Sequence, residues 1–141
     1  MKNPKQFMKE LQSNPYNFKL KGSGPLKFHL DCGFRRDKDG TLYMDPKRFI
    51  EKMINGYEQM FSEKPKTKSQ SPLEEGDHPE LDTSDFINED NTQRYQSIIG
   101  SLQWAITLGQ WDIQTAVMPL SGFRAQPREG HLESQKDLRI P

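Results

Sequence analysis

From Ser62 to Asn91 the chain loses all apolar periodicity, and this interruption constrains its folding more than any other feature. Lys64-Pro65-Lys66-Thr67-Lys68 is basic, and Glu74 to Asp90 holds eight acids with Pro79 inside. Such a stretch reads as an extended, solvated linker, because it offers no apolar face to bury. The chain then divides into a first segment at 1–61, a linker at 62–91 and a second segment at 92–141. With 141 residues in all, there is no room for two ordinary domains. Leu, Ile, Val and Phe number 29 of 141, just above the roughly 20% below which chains stay disordered. The core must be thin.

Charge is balanced over the whole and unbalanced along it. The 20 Lys and Arg match the 20 Asp and Glu. Residues 1–70 nevertheless carry 15 bases against 8 acids, and residues 71–141 carry 5 against 12. A basic half fits a polyanion partner, or attraction to the acidic half of the same chain. No apolar run approaches the ~18 residues of a membrane span. Residues 1–11 lack the apolar run of a secretory signal. The single Cys32 excludes a disulfide framework and fits a reducing, intracellular compartment, cytoplasm or nucleus. His29, His78 and His131 lie about fifty residues apart with no partner at ligand spacing, which argues against a metal site.

Within the first segment, residues 16–20 alternate apolar and polar. Leu26, Phe28, Leu30, Cys32 and Phe34 do so for longer and predict a half-buried strand over 26–34. Asp37-Lys38-Asp39-Gly40 supplies a turn, and residues 41–44 can pair back as a hairpin. Asp45 then reads as a helix N-cap with Pro46 as the first helical residue. Phe49, Ile50, Met53, Tyr57, Met60 and Phe61 give an amphipathic helix over 46–61. In the second segment a helix is expected from Tyr95 to Leu108. Another is expected from Trp111 to Phe123, broken at Pro119, and a short last one from Pro127. The fold class is α+β: a small antiparallel hairpin element plus helices.

On a wheel at ~100° per residue, Tyr95, Ile98, Ile99, Leu102, Ala105 and Ile106 form one arc. Gln96, Gly100 and Trp104 fall opposite, at i, i+4 and i+8, flanked by Ser97, Ser101, Gln103 and Thr107. A Trp on a polar face is anomalous, and so is a Gly at mid-helix, where it costs about 1 kcal/mol against Ala. One arrangement explains both. Gly100 lets another surface approach the backbone, Gln96 offers hydrogen bonds, and Trp104 offers a flat ring for a sugar or base. That suits a helix laid along a nucleic-acid groove. The wheel equally fits a core role, in which Gly100 admits a neighbouring helix and Trp104 packs against it; this is the commoner use of such residues.

The order of several runs is specific. They include Phe18-Lys19-Leu20-Lys21-Gly22-Ser23-Gly24-Pro25, His29-Leu30, Asp39-Gly40-Thr41-Leu42-Tyr43 and Pro46-Lys47-Arg48-Phe49-Ile50-Glu51-Lys52-Met53. Further on come Gly76-Asp77-His78-Pro79, Tyr95-Gln96-Ser97-Ile98-Ile99-Gly100-Ser101-Leu102-Gln103-Trp104 and Leu120-Ser121-Gly122-Phe123. From about Phe7 to Glu133 the chain resembles the Ty1/copia-type reverse transcriptase of retrotransposon polyproteins, downstream of its catalytic aspartates. The resemblance implies that the hairpin near 26–44 is the end of the palm, with His29, Leu30 and Asp31 at a primer-gripping turn. It implies that residues 92–141 are thumb-like, with Gln96, Gly100, Trp104 and Gln103 facing an RNA–DNA or DNA duplex. The remainder of the polyprotein would be the other partner.

The departures matter as well. The resemblance implies that the carboxylates holding the family's magnesium ions would precede residue 1 and those of its ribonuclease H would follow residue 141, and no Asp-Asp pair occurs in the sequence. Asp31 stands where the family usually has Gly. No cofactor and no catalytic residue are expected here. The functional expectation is a non-catalytic part of a reverse transcriptase region that retains template–primer binding. Its competitor is an inert remnant or protein-interaction module with no nucleic-acid role.

Overall fold

A computed structural model describes residues 3–21, 24–65 and 78–138. The class is α+β, with five α-helices and a three-stranded antiparallel sheet among the described residues. The elements are α1 (Pro4–Gln12), β1 (Phe28–His29), β2 (Cys32–Arg36), β3 (Leu42–Asp45), α2 (Lys47–Phe61), α3 (Glu89–Thr107), α4 (Gln114–Ser121) and α5 (Glu129–Asp137). Short 3-10 turns at Pro79–Leu81 and Trp111–Ile113 precede α3 and α4. No described helix is long and apolar enough to cross a membrane.

The expected strand over 26–34 is instead a hairpin. Its two-residue turn is Leu30-Asp31, with φ of +50° and +61°, the left-handed pair that a tight hairpin requires. His29 pairs with Cys32 and Phe28 with Gly33. This fold-back reverses the phase of the alternation: Phe28 and Cys32 would share a face in one strand and lie on opposite faces here. Cys32 is accordingly buried, whereas Leu26, Phe28 and Leu30 stay exposed. The second hairpin forms as its sequence requires, with Phe34 opposite Met44 and Arg35 opposite Tyr43. Residues 16–20 form no strand; Tyr16, Phe18 and Leu20 are exposed. The helix α1, capped by Asn3 accepting from the Lys5 N–H, has no counterpart in the expectations and buries no residue.

One core joins the two segments. Ile50, Met53 and Tyr57 of α2 pack with Tyr95, Ile98, Ile99, Leu102 and Ala105 of α3 and with Ile113, Ala116, Val117 and Leu120. The arc expected from the wheel is the face that packs, with Ile106 partly buried at its margin. At its centre the Tyr95 hydroxyl donates to the Leu120 carbonyl at 2.7 Å, fastening α3 to α4. Burial raises the Tyr95 hydroxyl far above its ordinary pKa.

The helices differ from expectation at several points: α4 covers only Gln114–Ser121 of the expected 111–123, and α5 starts at Glu129 rather than Pro127. The helix α2 starts one residue late: Pro46 occupies the N-cap position, while the Asp45 carboxylate still accepts from the Lys47 N–H at 3.0 Å. The helix α3 begins at Glu89 rather than Tyr95, because the Asn88 side chain caps it by accepting from the Asn91 N–H. The helix α4 runs through Pro119 instead of breaking there. Pro119 and Thr115, whose carbonyl loses its i+4 donor, both lie on the exposed side of α4, so water can replace the missing bond.

Residues 66–77 of the expected linker lie outside the described residues, but 78–91 are not solvated spacer. Pro79 is buried, and its carbonyl accepts from His131 Nε2 at 2.8 Å. Asp82 accepts from the Ser84 N–H at 2.8 Å and from the His131 N–H at 3.2 Å. The Arg128 guanidinium lies 4.0 Å over the Phe86 ring and donates to the Ser84 carbonyl. Backbone bonds from Ile87 to Pro127 and from Glu129 to Asp85 complete the strap. Among these acids the Asp82 carboxylate holds α5, Glu80 pairs with His78, and Glu89 and Asp90 open α3.

Candidate nucleic-acid interface

The helix α3 has two chemically distinct sides. Its apolar arc is consumed by the core, which turns Gln96, Gly100 and Trp104 outward along about two turns of the opposite side. Gln96 and Gly100 are exposed, Gln103 is half-buried, and Trp104 is 36% exposed. A Cβ added at Gly100 would meet nothing within 4 Å. Among the described residues no neighbouring helix fills the gap at Gly100.

The side chains around the gap are held in place. Gln96 Nε2 donates to the Arg124 carbonyl at 2.8 Å, and Arg124 Nη1 donates to Gln103 Oε1 at 3.3 Å. Arg124 follows α4, so the turn after α4 folds back against α3 and brings a guanidinium beside Gln103. The hydroxyls of Ser101 and Thr107 donate to the carbonyls of Ser97 and Gln103 within α3, at 3.0 and 3.1 Å. From Asn91 to Trp111 the only charged residue is Arg94, so no carboxylate on this stretch opposes a phosphate. An apolar ring, a bare backbone, two amides and an arginine make a surface suited to sugar and phosphate contacts.

Arg124 is the residue that sequence reasoning missed. Its distance from Gln96 along the chain is 28 residues, and neither periodicity nor a motif signals the return of the turn.

His29, Leu30 and Asp31 lie elsewhere, at the tip of the first hairpin. The Asp31 carboxylate accepts from Lys52 Nζ at 2.7 Å and lies 3.6 Å from Arg48 Nε. The hydrogen bond from Lys52 holds the Asp31 carboxyl below its usual range, with Arg48 adding to the effect. The tip is thereby tied to α2, whereas the Gln96–Trp104 stripe belongs to α3.

Among the described residues no three His, Cys, Asp or Glu side chains come together as a metal site. No protein-family model, curated protein or solved structure matches this chain.

Proposed function

We propose that this chain is a non-catalytic part of a copia-type reverse transcriptase region that docks on a template–primer duplex through α3. Gln96, Gly100 and Trp104 face the groove, and Gln103 with Arg124 flanks it. The observation that carries this reading is the open gap at Gly100, between an anchored amide and an accessible indole. A glycine that costs the helix stability and admits no internal neighbour is accounted for by an external one.

The competing reading, a module that contacts protein and not nucleic acid, draws on the exposed Leu26, Phe28, Leu30, Leu42 and Met44 of the first segment. Gel shifts with an RNA–DNA hybrid at about 50 and 200 mM salt separate the two, since phosphate contacts weaken steeply over that range. Docking predicts a shift at low salt that fades at high salt and is reduced by Trp104→Ala, stacking contributing about 1–3 kcal/mol. Unchanged mobility of the hybrid at both salts overturns the proposal and favours the protein-contact reading.

A further inference from the structure

Among the described residues the sheet ends at β3, which has β2 on one side and no strand on the other. Which of its backbone groups face outward follows from one hydrogen bond. The Asp37 N–H donates to the Thr41 carbonyl at 2.9 Å, making 37 and 41 a hydrogen-bonded pair of this hairpin. Antiparallel ladders alternate such pairs, so Tyr43, opposite Arg35, and Asp45, opposite Gly33, direct their N–H and C=O at β2. Leu42 and Met44 therefore direct theirs away from the sheet. Their side chains are 54% and 46% exposed, and that of Tyr43 is 39% exposed. Edges of this kind are usually guarded by lysine, proline or a bulge; Leu42, Tyr43 and Met44 hold none of these, and the bulged turn at Gly40 and the pair Asp45-Pro46 lie at the two ends of the strand.

We propose that β3 is a self-pairing edge: a second copy of this chain adds its own β3 antiparallel, about a two-fold axis at Tyr43. Two three-stranded sheets then become one sheet of six strands. The backbone selects the register. Centred on Tyr43, Leu42 lies opposite Met44 of the second copy and exchanges both hydrogen bonds with it, and the axis repeats the pair. Centring on Met44 instead sets Leu42 against Pro46, which has no N–H. Centring on Leu42 sets Met44 against Gly40, where the chain has already turned with φ of +91°.

The side chains agree with that register. Leu42 meets Met44 twice on one face of the joined sheet. On the other face two Tyr43 rings meet, each with an Arg35 guanidinium 5.4 Å from its centroid. Asp45 comes opposite Thr41, and the turn carrying Asp37 and Asp39, with Lys38 between them, comes to the end that bears Lys47 and Arg48 of the second copy, so the acids of the turn meet bases there. The contact is isologous and closes at two copies.

Sedimentation equilibrium of the full chain from about 1 μM to about 1 mM covers the range of weak association. A reversible monomer–dimer equilibrium is expected. Leu42→Lys with Met44→Lys places lysines opposite each other in both pairs and should leave a monomer throughout. Leu42→Lys with Met44→Glu places opposite charges there and should keep the dimer. Tyr43→Cys puts two thiols at a non-hydrogen-bonded pair, with Cα atoms about 4.5 Å apart, within disulfide reach. It should cross-link on oxidation, whereas Leu42→Cys, two residues out of register with its own copy, should not. The native Cys32 is 1% exposed and does not compete. Circular dichroism establishes that each variant is folded. A monomer at every concentration, a dimer that survives the double lysine variant, or absence of the Tyr43→Cys cross-link overturns the proposal.

Discussion

Asp31, in the left-handed turn of the first hairpin, accepts a hydrogen bond from Lys52 of α2 at 2.7 Å across 21 residues of sequence. The bond depresses the folded-state pKa of Asp31, so its contribution to stability is present above the unfolded value, near 3.9. That contribution is lost as pH falls through the lower folded value. Lys52→Gln should move the Asp31 titration upward in carboxyl-detected NMR. It should also reduce the stability difference between neutral pH and pH about 3.

Leu30 shares that turn, with φ of +50° and 59% exposure. A leucine in left-handed backbone costs roughly 1–2 kcal/mol, and this one recovers little by burial. Leu30→Asn should therefore stabilise the chain by about 0.5–1 kcal/mol, read as a higher urea midpoint at unchanged slope.

Gly130, near the start of α5, has no room for a side chain: a Cβ there would stand 2.5 Å from an Asp82 carboxylate oxygen. That carboxylate cannot swing aside freely, because the Ser84 and His131 N–H groups both donate to it. Gly130→Ala should destabilise by about 1–3 kcal/mol in urea denaturation. Adding Asp82→Ala should make the combined loss less than the sum of the two single losses.

Gly100 predicts the opposite. With nothing within 4 Å of the missing Cβ, Gly100→Ala should raise thermal stability by about 0.5–1 kcal/mol. If the proposed docking holds, the same methyl should weaken duplex binding in a gel shift. A variant that is more stable and binds equally well would remove the close approach from the proposal.

The packing arc of α3 was legible because burial repeats at the helical period, and Tyr95, Ile98, Ile99 and Leu102 carry that period without exception. The first hairpin was not. Leu30-Asp31 lacks the Asn-Gly chemistry that marks such turns, and a two-residue turn leaves the apolar–polar alternation unbroken in the sequence while inverting it in space. The strap from Pro79 to Ile87 was hidden for another reason: the Asp82 carboxylate accepts the His131 N–H and the Pro79 carbonyl accepts from the His131 ring, and long-range polar pairing has no period. For the candidate site, Gln96, Gly100 and Trp104 were placed by the wheel, whereas Arg124 depended on how α4 returns.

The interior shared by α2 and α3 bears on how the chain is wired as well as on how it is packed. Ile50, Met53 and Tyr57 find their complement in residues beyond position 90, so neither half can bury that surface alone. Supplied as separate pieces, 1–65 and 78–141, the two should reassemble, as a knob and its socket.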